Sequence, residues 1–186
     1  MSFAPGQTVG PFFHLGLPFD GGNLLVPASH PDAVRLHGRV LDGDGTGVPD
    51  AVIELWQADP TGRIPRGTGS FHRDGFTFTG WGRAQTDGDG HYWFSTLLPG
   101  ATEPGRRPFF AVTVFARGLT DRLFTRAYLP GDEPDALLDG LSAELRATLI
   151  TTREERGLLF DIHLQGDSRL QGKGETVFLS YPGQAR

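Results

Sequence analysis

Four groups of residues in this chain have types and spacings that could do chemistry. Asp42-Gly43-Asp44-Gly45-Thr46-Gly47 puts oxygens at positions one, three and five of a calcium loop, with glycine at six. The twelfth position, where such a loop needs a bidentate glutamate, is Ile53. A second Asp-Gly-Asp-Gly run at 87–90 fails sooner, because His91 and Tyr92 take positions five and six. Both runs read as hairpin turns in which Asp-Gly supplies positive φ. Gly43-x-Gly45-x-Gly47 is followed by a strand rather than a helix, so no amides converge there on a phosphate. The histidines, His14, His30, His37, His72, His91 and His163, include no i,i+2 or i,i+4 pair that would converge ligands locally. Surface or hydrogen-bonded roles are expected for them. No serine occupies a Gly-x-Ser-x-Gly elbow, and the absence of cysteine removes thiolate ligands, disulfides and a thiol nucleophile. The fourth group is the segment Asp50 to Arg63, in which Glu54 and Trp56 share one face of a strand. A buried Glu54 needs a partner for its carboxylate.

The elements that must position these residues are short strands. Val34 to Leu41 alternates apolar and polar residues, and Ala51 to Gln57 is a second strand. Further runs are 83–86, 91–97, 109–116, 123–129, 158–164 and 175–179, which makes eight candidates separated by Gly, Pro and Asp turns. The pattern predicts an all-β fold, an antiparallel β-sandwich or barrel, with one or two short helices. The helices are expected over Ser142 to Ile150, with Ser142 capping and Leu141, Leu145 and Leu149 four apart, and more weakly over Pro134 to Leu138. Residues 1–31 hold five prolines yet include Pro11-Phe12-Phe13-His14-Leu15, too apolar for a free tail. They are expected to form an extended N-terminal arm lying on its own domain or on another chain, ahead of the sandwich at 32–186.

Composition supports this division. Glycine and proline contribute 27 and 14 of 186 residues, a turn-heavy content that disfavours long helices. The formal charge of −5 argues against nucleic acid or an anionic membrane as partner. Arginine outnumbers lysine sixteen to one, but the arginines form no stripe. No apolar run reaches membrane-spanning length and no secretory leader is visible, so the cytoplasm is the expected compartment.

Several motifs, taken together, resemble the intradiol ring-cleavage dioxygenases, and within them the α type of the two-chain members. They are Gln7-Thr8-Val9-Gly10-Pro11-Phe12, the Leu55-Trp56-Gln57-Ala58-Asp59 core, Thr86-Asp87 through Pro99-Gly100, Phe115-Ala116-Arg117-Gly118, Phe160-Asp161-Ile162 and Gly174-Glu175-Thr176-Val177-Phe178. They span nearly the whole chain in order. The resemblance implies a β-sandwich and insertion of O2 between the hydroxyl-bearing carbons of protocatechuate, giving 3-carboxy-cis,cis-muconate in the β-ketoadipate pathway. It also implies a non-haem Fe(III) cofactor held by two tyrosines and two histidines.

The departures from that pattern matter most. The first tyrosine position is Ile64 and the second is Thr102. The His-x-His positions fall on Phe109 and Ala111, or, in the other register, on Phe110 and Val112. Neither register contains a histidine, so this chain is expected to bind no iron and to have no catalytic residue of its own. Whether the former metal site is filled or open is not fixed by sequence, although Ile64, Phe109 and Phe110 suggest filled. The resemblance places Fe(III) in a paralogous β subunit whose cleft the arm of an α chain helps to wall. The matching positions are Thr8, Gly10, Pro11 and Phe12, with Arg117 bordering the same cleft. Phe12 stands where tyrosine is common. The expected function is therefore that of a non-iron α subunit. A small-molecule-binding or purely structural module on the same sandwich is the alternative.

Overall fold

A computed structural model describes residues 8–10, 12–66, 71, 73–166 and 174–180. In chain order the described elements are α1 (Phe13–Gly16), β1 (Val34–Leu41), β2 (Val52–Trp56), β3 (Trp81–Gln85), β4 (His91–Thr96), β5 (Phe109–Phe115) and β6 (Leu123–Tyr128). They are followed by α2 (Ala136–Asp139), α3 (Ala143–Ala147), β7 (Thr152–Glu154), β8 (Gly157–Leu159) and β9 (Ile162–His163). One sheet runs β4-β1-β8-β7, with β9 also on β1; the other runs β3-β2-β5-β6. The sheets pack face to face as a sandwich. Alternation decides which residues lie between them: Leu36 and Val40 of β1, Ile53 and Leu55 of β2, Phe94 of β4, and Phe110, Val112 and Val114 of β5 are all buried in one cluster.

The sandwich agrees with the sequence reading, but the first sheet is mixed rather than purely antiparallel, because β8 and β9 both run parallel to β1. The expected strand 158–164 is broken into β8 and β9. At the break the Arg39 amide donates to the Asp161 carboxylate (2.8 Å) instead of to a backbone carbonyl, and the Tyr92 hydroxyl donates to the Phe160 carbonyl. Gly38 faces this bulge, and a Cβ there would overlap the Phe160 carbonyl. The expected strand 175–179 is not a regular strand. It is tied down singly, by Thr176 N–H donating to His163 O and Leu179 N–H to Phe124 O.

Both aspartate turns form as read. Asp42 Oδ1 accepts from the Asp44 and Thr46 amides, and Asp87 Oδ1 from those of Asp89 and His91, each near 2.9–3.0 Å. These bonds to His91 and Asp89 hold the exposed Asp87 carboxyl below its usual pKa. Both helices form, but α3 covers only Ala143–Ala147 of the expected 142–150 and α2 runs one residue past the expected 134–138; Ser142 Oγ accepts from Leu145 N–H as read, and the Asp135 carboxylate, not foreseen as a cap, accepts from Leu137 and Leu138 N–H.

The later part of the arm lies on its own sandwich. Gly22 O accepts from Arg83 N–H of β3 (2.8 Å), while Leu25 N–H donates to Ser95 O of β4 (2.8 Å). Residues 21–26 thus bridge the edge strands of the two sheets and cover backbone that would otherwise be open to pairing. Phe19 stacks on Trp81 at 5.8 Å, and the Arg83 guanidinium donates both to Glu54 (2.5 Å) and to Leu17 O (2.6 Å). Arg83 is therefore the partner that the Glu54 carboxylate needs. α1 was not foreseen in so proline-rich a stretch; its single turn closes through Leu17 N–H to Phe13 O.

Candidate functional site

The sequence-named residues fall into two groups at opposite ends of the β3-β2-β5-β6 sheet. Its outer face carries a row in register across all four strands: Trp81 opposite Trp56, Trp56 opposite Ala111, and Ala111 opposite Arg126. Phe19 of the arm and Phe71 of the loop before β3 cover the Trp81 end. The remainder of the row stays open, with Trp56 48% exposed, and forms a cavity of about 270 Å³. Ile64, Thr102, Phe109 and Ala111 all line it. Phe110 and Val112 point the other way into the core, so the Phe109/Ala111 register is the one that faces the cavity. The cavity is open rather than filled, because Phe110 is turned inward and Ala111 leaves a floor without bulk.

The loop that presents Ile64 is built by the Trp-Gln-Ala-Asp segment. Gln57 Nε2 donates to Leu97 O (2.9 Å) and its Oε1 accepts from Thr96 Oγ1. Asp59 Oδ1 accepts from Thr61 Oγ1 and from the Thr61 and Arg63 amides, at 2.7, 2.8 and 3.0 Å. These hydrogen bonds, led by that from the Thr61 side chain, hold the Asp59 carboxyl below its usual pKa. Gly62 closes the turn with φ = 85° and packs so closely under Ala101 that a side chain would strike its carbonyl. The motif is thus a scaffold for the cavity rim and not itself a reactive group.

The four former ligand positions do not fit Fe(III). Isoleucine, phenylalanine and alanine offer no donor atom, and a lone threonine hydroxyl is no substitute for two phenolates and two imidazoles. Among the described residues no group of three or more His, Cys, Asp or Glu could hold a metal ion. One charged side chain at the cavity was not singled out from the sequence. Arg126 lies 4.2 Å over the Phe109 ring and donates to the Tyr128 hydroxyl (3.0 Å), which in turn bonds Asp135 Oδ1 (3.0 Å). Burial pushes the Tyr128 phenol above its usual pKa, so the hydroxyl remains protonated. The signal in the sequence was the alternation of β6, which puts Arg126 outward between the buried Thr125 and Ala127.

The second group lies where β2 begins and β5 ends. Asp50, just before β2, has φ = 64°, the one positive φ at a non-glycine among the described residues. Its Oδ2 pairs with Arg117 Nε at 2.7 Å. Thr8 Oγ1 accepts from the Gly118 amide at 3.0 Å. Thr8 and Arg117, far apart in sequence, thus meet at one turn. Gly10 follows Thr8 by two residues, and its carbonyl accepts from Phe13 N–H (3.1 Å). Phe12 is 73% exposed; Pro11 lies outside the described residues. Asp50 was missed because a lone aspartate after proline signals only a turn.

The sequence pattern of the family described as Dioxygenase matches residues 9–166. The protocatechuate 3,4-dioxygenase alpha chain of Burkholderia cepacia is 37% identical, covering 94% of this chain and 95% of that one. The alpha chain of Pseudomonas putida is 32% identical over 95% and 96%. The beta chain of the Burkholderia cepacia enzyme is 34% identical over 73% of this chain and 65% of its own. Among solved structures, the dioxygenase domain of a carbohydrate-binding fusion from Streptomyces sp. SirexAA-E superposes with TM-score 0.56 at 27% identity, covering 76% of this chain and 86% of that one. Sequence pattern, relatives and fold agree: the chain belongs to the intradiol ring-cleaving dioxygenases, a family of oxidoreductases, on their α-chain branch.

Proposed function

We propose that this chain is the non-iron α subunit of a cytoplasmic, heteromeric protocatechuate 3,4-dioxygenase, and that it helps wall the cleft of an iron-bearing β subunit. One observation carries this reading. Thr8 and Arg117 sit at the end of the sheet opposite the cavity lined by the former ligand positions. Six residue steps along β2 and its flank lead from Asp50 to Trp56, about 20 Å of extended chain. Groups so far from the cavity cannot serve a reaction there. A cleft bordered by Thr8 and Arg117 therefore belongs to another polypeptide.

The chemistry of those residues suits the role. Protocatechuate carries one carboxylate and ring opening creates two more, so a guanidinium at the rim meets negative charge in both substrate and product. Asp50 pairs with Arg117 through Nε, and the Arg117 side chain stays mostly exposed. Phe12 offers an exposed apolar ring with no hydroxyl, fitting a wall rather than a proton donor. Fe(III), O2 and the bond-making steps are assigned to the β subunit, because the donor set on this chain cannot hold the metal.

The test is co-expression with a paralogous chain that keeps two tyrosines and two histidines at the ligand positions. The pair is expected to co-purify and to cleave protocatechuate, whereas neither chain alone reaches the activity of the pair. A chain that stays monomeric beside that partner, with no change in its activity, would contradict the assignment and favour a free-standing binding module.

A further inference from the structure

The other sheet, β4-β1-β8-β7, carries a second cavity, of about 520 Å³, which shares no residue with either group described above. Its lining joins Ala28, Ala33 and Val34 from the approach to β1 with Trp93 of β4 and two arginines, Arg35 of β1 and Arg156 of the β7–β8 turn. Backbone packing brings the arginines together. Gly157, with φ = 135°, lies so close to β1 that a Cβ there would strike the Arg35 carbonyl, which sets Arg156 beside Arg35. Among the described residues neither guanidinium makes an ion pair or a hydrogen bond, and no aspartate or glutamate lines the cavity. The nearby carboxylates are engaged, Glu154 with His37 (3.6 Å) and Asp161 with the Arg39 amide (2.8 Å). After burial, the Arg35 charge does most to lower the pKa of the adjacent His37, and Arg156 acts in the same sense, so both cations are felt at one place.

We propose that this cavity is a binding site for a short-chain dicarboxylate. Charge sets the first limit. Two guanidiniums without a counter-charge at one cavity select a doubly charged oxyanion over a singly charged one, and each planar fork matches a carboxylate. The walls set the second. Two alanines, a valine and an indole favour a hydrocarbon body between the charges, which inorganic phosphate lacks. Size agrees, since about 520 Å³ falls within the roughly 300–1,000 Å³ of small-molecule sites. Arg35 is also held before any ligand arrives, by its place over the Trp93 ring at 5.2 Å, so less of it remains to be ordered on binding. The site does not depend on Thr8, Arg117 or any partner's iron, and its occupation requires no catalysis.

Calorimetric titration of the full chain, in complex with whatever subunit it purifies with, tests the proposal near neutral pH. The probes are adipate, hexanoate (the same carbon chain with one carboxylate) and inorganic phosphate. One saturable adipate site per chain is expected, about tenfold or more tighter than hexanoate or phosphate, as for an added charged hydrogen bond. Arg156→Gln is expected to weaken adipate by about tenfold while leaving hexanoate within about threefold. Ala28→Glu, at an exposed position, brings a carboxylate to the cavity and is expected to remove the adipate site. Both are surface substitutions, and thermal melting checks that each variant folds. Adipate bound no tighter than hexanoate, phosphate bound as tightly as adipate, or adipate unchanged in both variants would overturn the proposal. So would a wild type that binds no adipate while Arg156→Gln falls out of its complex, which would make the arginine pair a subunit contact.

Discussion

Asp50 holds a backbone conformation that most side chains avoid, and aspartate is among the residues that tolerate it. Its carboxylate is largely buried while the Arg117 guanidinium is mostly exposed, so the pair contributes little stability, in the range of about 0–1 kcal/mol. Its value lies in aiming Arg117. In the assembled enzyme, Arg117→Ala is expected to lower kcat/KM for protocatechuate by about 10- to 100-fold, or roughly 1.5–3 kcal/mol of transition-state binding. Asp50→Asn keeps the backbone shape and is expected to lower kcat/KM in the same direction by a smaller factor. Steady-state kinetics at low salt reads both; an unchanged kcat/KM in Arg117→Ala removes that residue from the cleft. His37 bears on stability instead. Burial first, and the neighbouring Arg35 second, lower its pKa below 6.5, so the unfolded chain binds the proton more readily than the folded one. The resulting stability is present above about pH 6.5 and is lost as pH falls from there through the lower folded value. His37→Gln is expected to flatten the dependence of Tm on pH in that window, measured by thermal melts from pH 7 down to 5. Residue types were legible in the sequence where they were missing from a pattern, as at Ile64 and Thr102. Arg126 and Asp50 were not, because their roles come from neighbours distant in the chain.

Alternation made most of the strands legible, since one face of each had to be apolar for the sandwich to close. Val34–Leu41 could be read to the residue. The break at Phe160 and Asp161 could not, because it depends on a tyrosine hydroxyl and a strand glycine that sequence proximity does not pair with it. The arm was read as lying on something; that its later part caps the edges of β3 and β4 follows from backbone bonds with no side-chain signature. Two substitutions probe these joints. Arg83→Ala leaves the mostly buried Glu54 carboxylate without its ion-pair partner and frees Leu17 O, and is expected to cost about 3 kcal/mol and to open residues before Gly22 to protease. Denaturant melts and limited proteolysis read the two effects; wild-type stability would show that the arm is held elsewhere. Thr86 Oγ1 accepts from Ala51 N–H and donates to Val48 O, both at 2.8 Å, at the foot of β2. Thr86→Val strands both backbone groups and is expected to cost about 1–3 kcal/mol in the same melts.

For the molecule as a whole, the sandwich keeps the frame of a ring-cleaving enzyme, while the positions that match the metal ligands hold three hydrocarbon side chains and one threonine. The open cavity and the Thr8–Arg117 turn occupy opposite ends of one sheet, so a single copy cannot bring them to the same reaction. On the proposed reading, the iron and the reacting cleft belong to a second chain. The most direct measurement is the iron content and turnover of this chain, purified alone and purified with its paralogous partner. The expected result is one iron per two-chain unit with ring cleavage in the complex, and neither stoichiometric iron nor cleavage in the chain alone. A preparation of the lone chain that carries one iron per molecule and opens a catechol ring would contradict it.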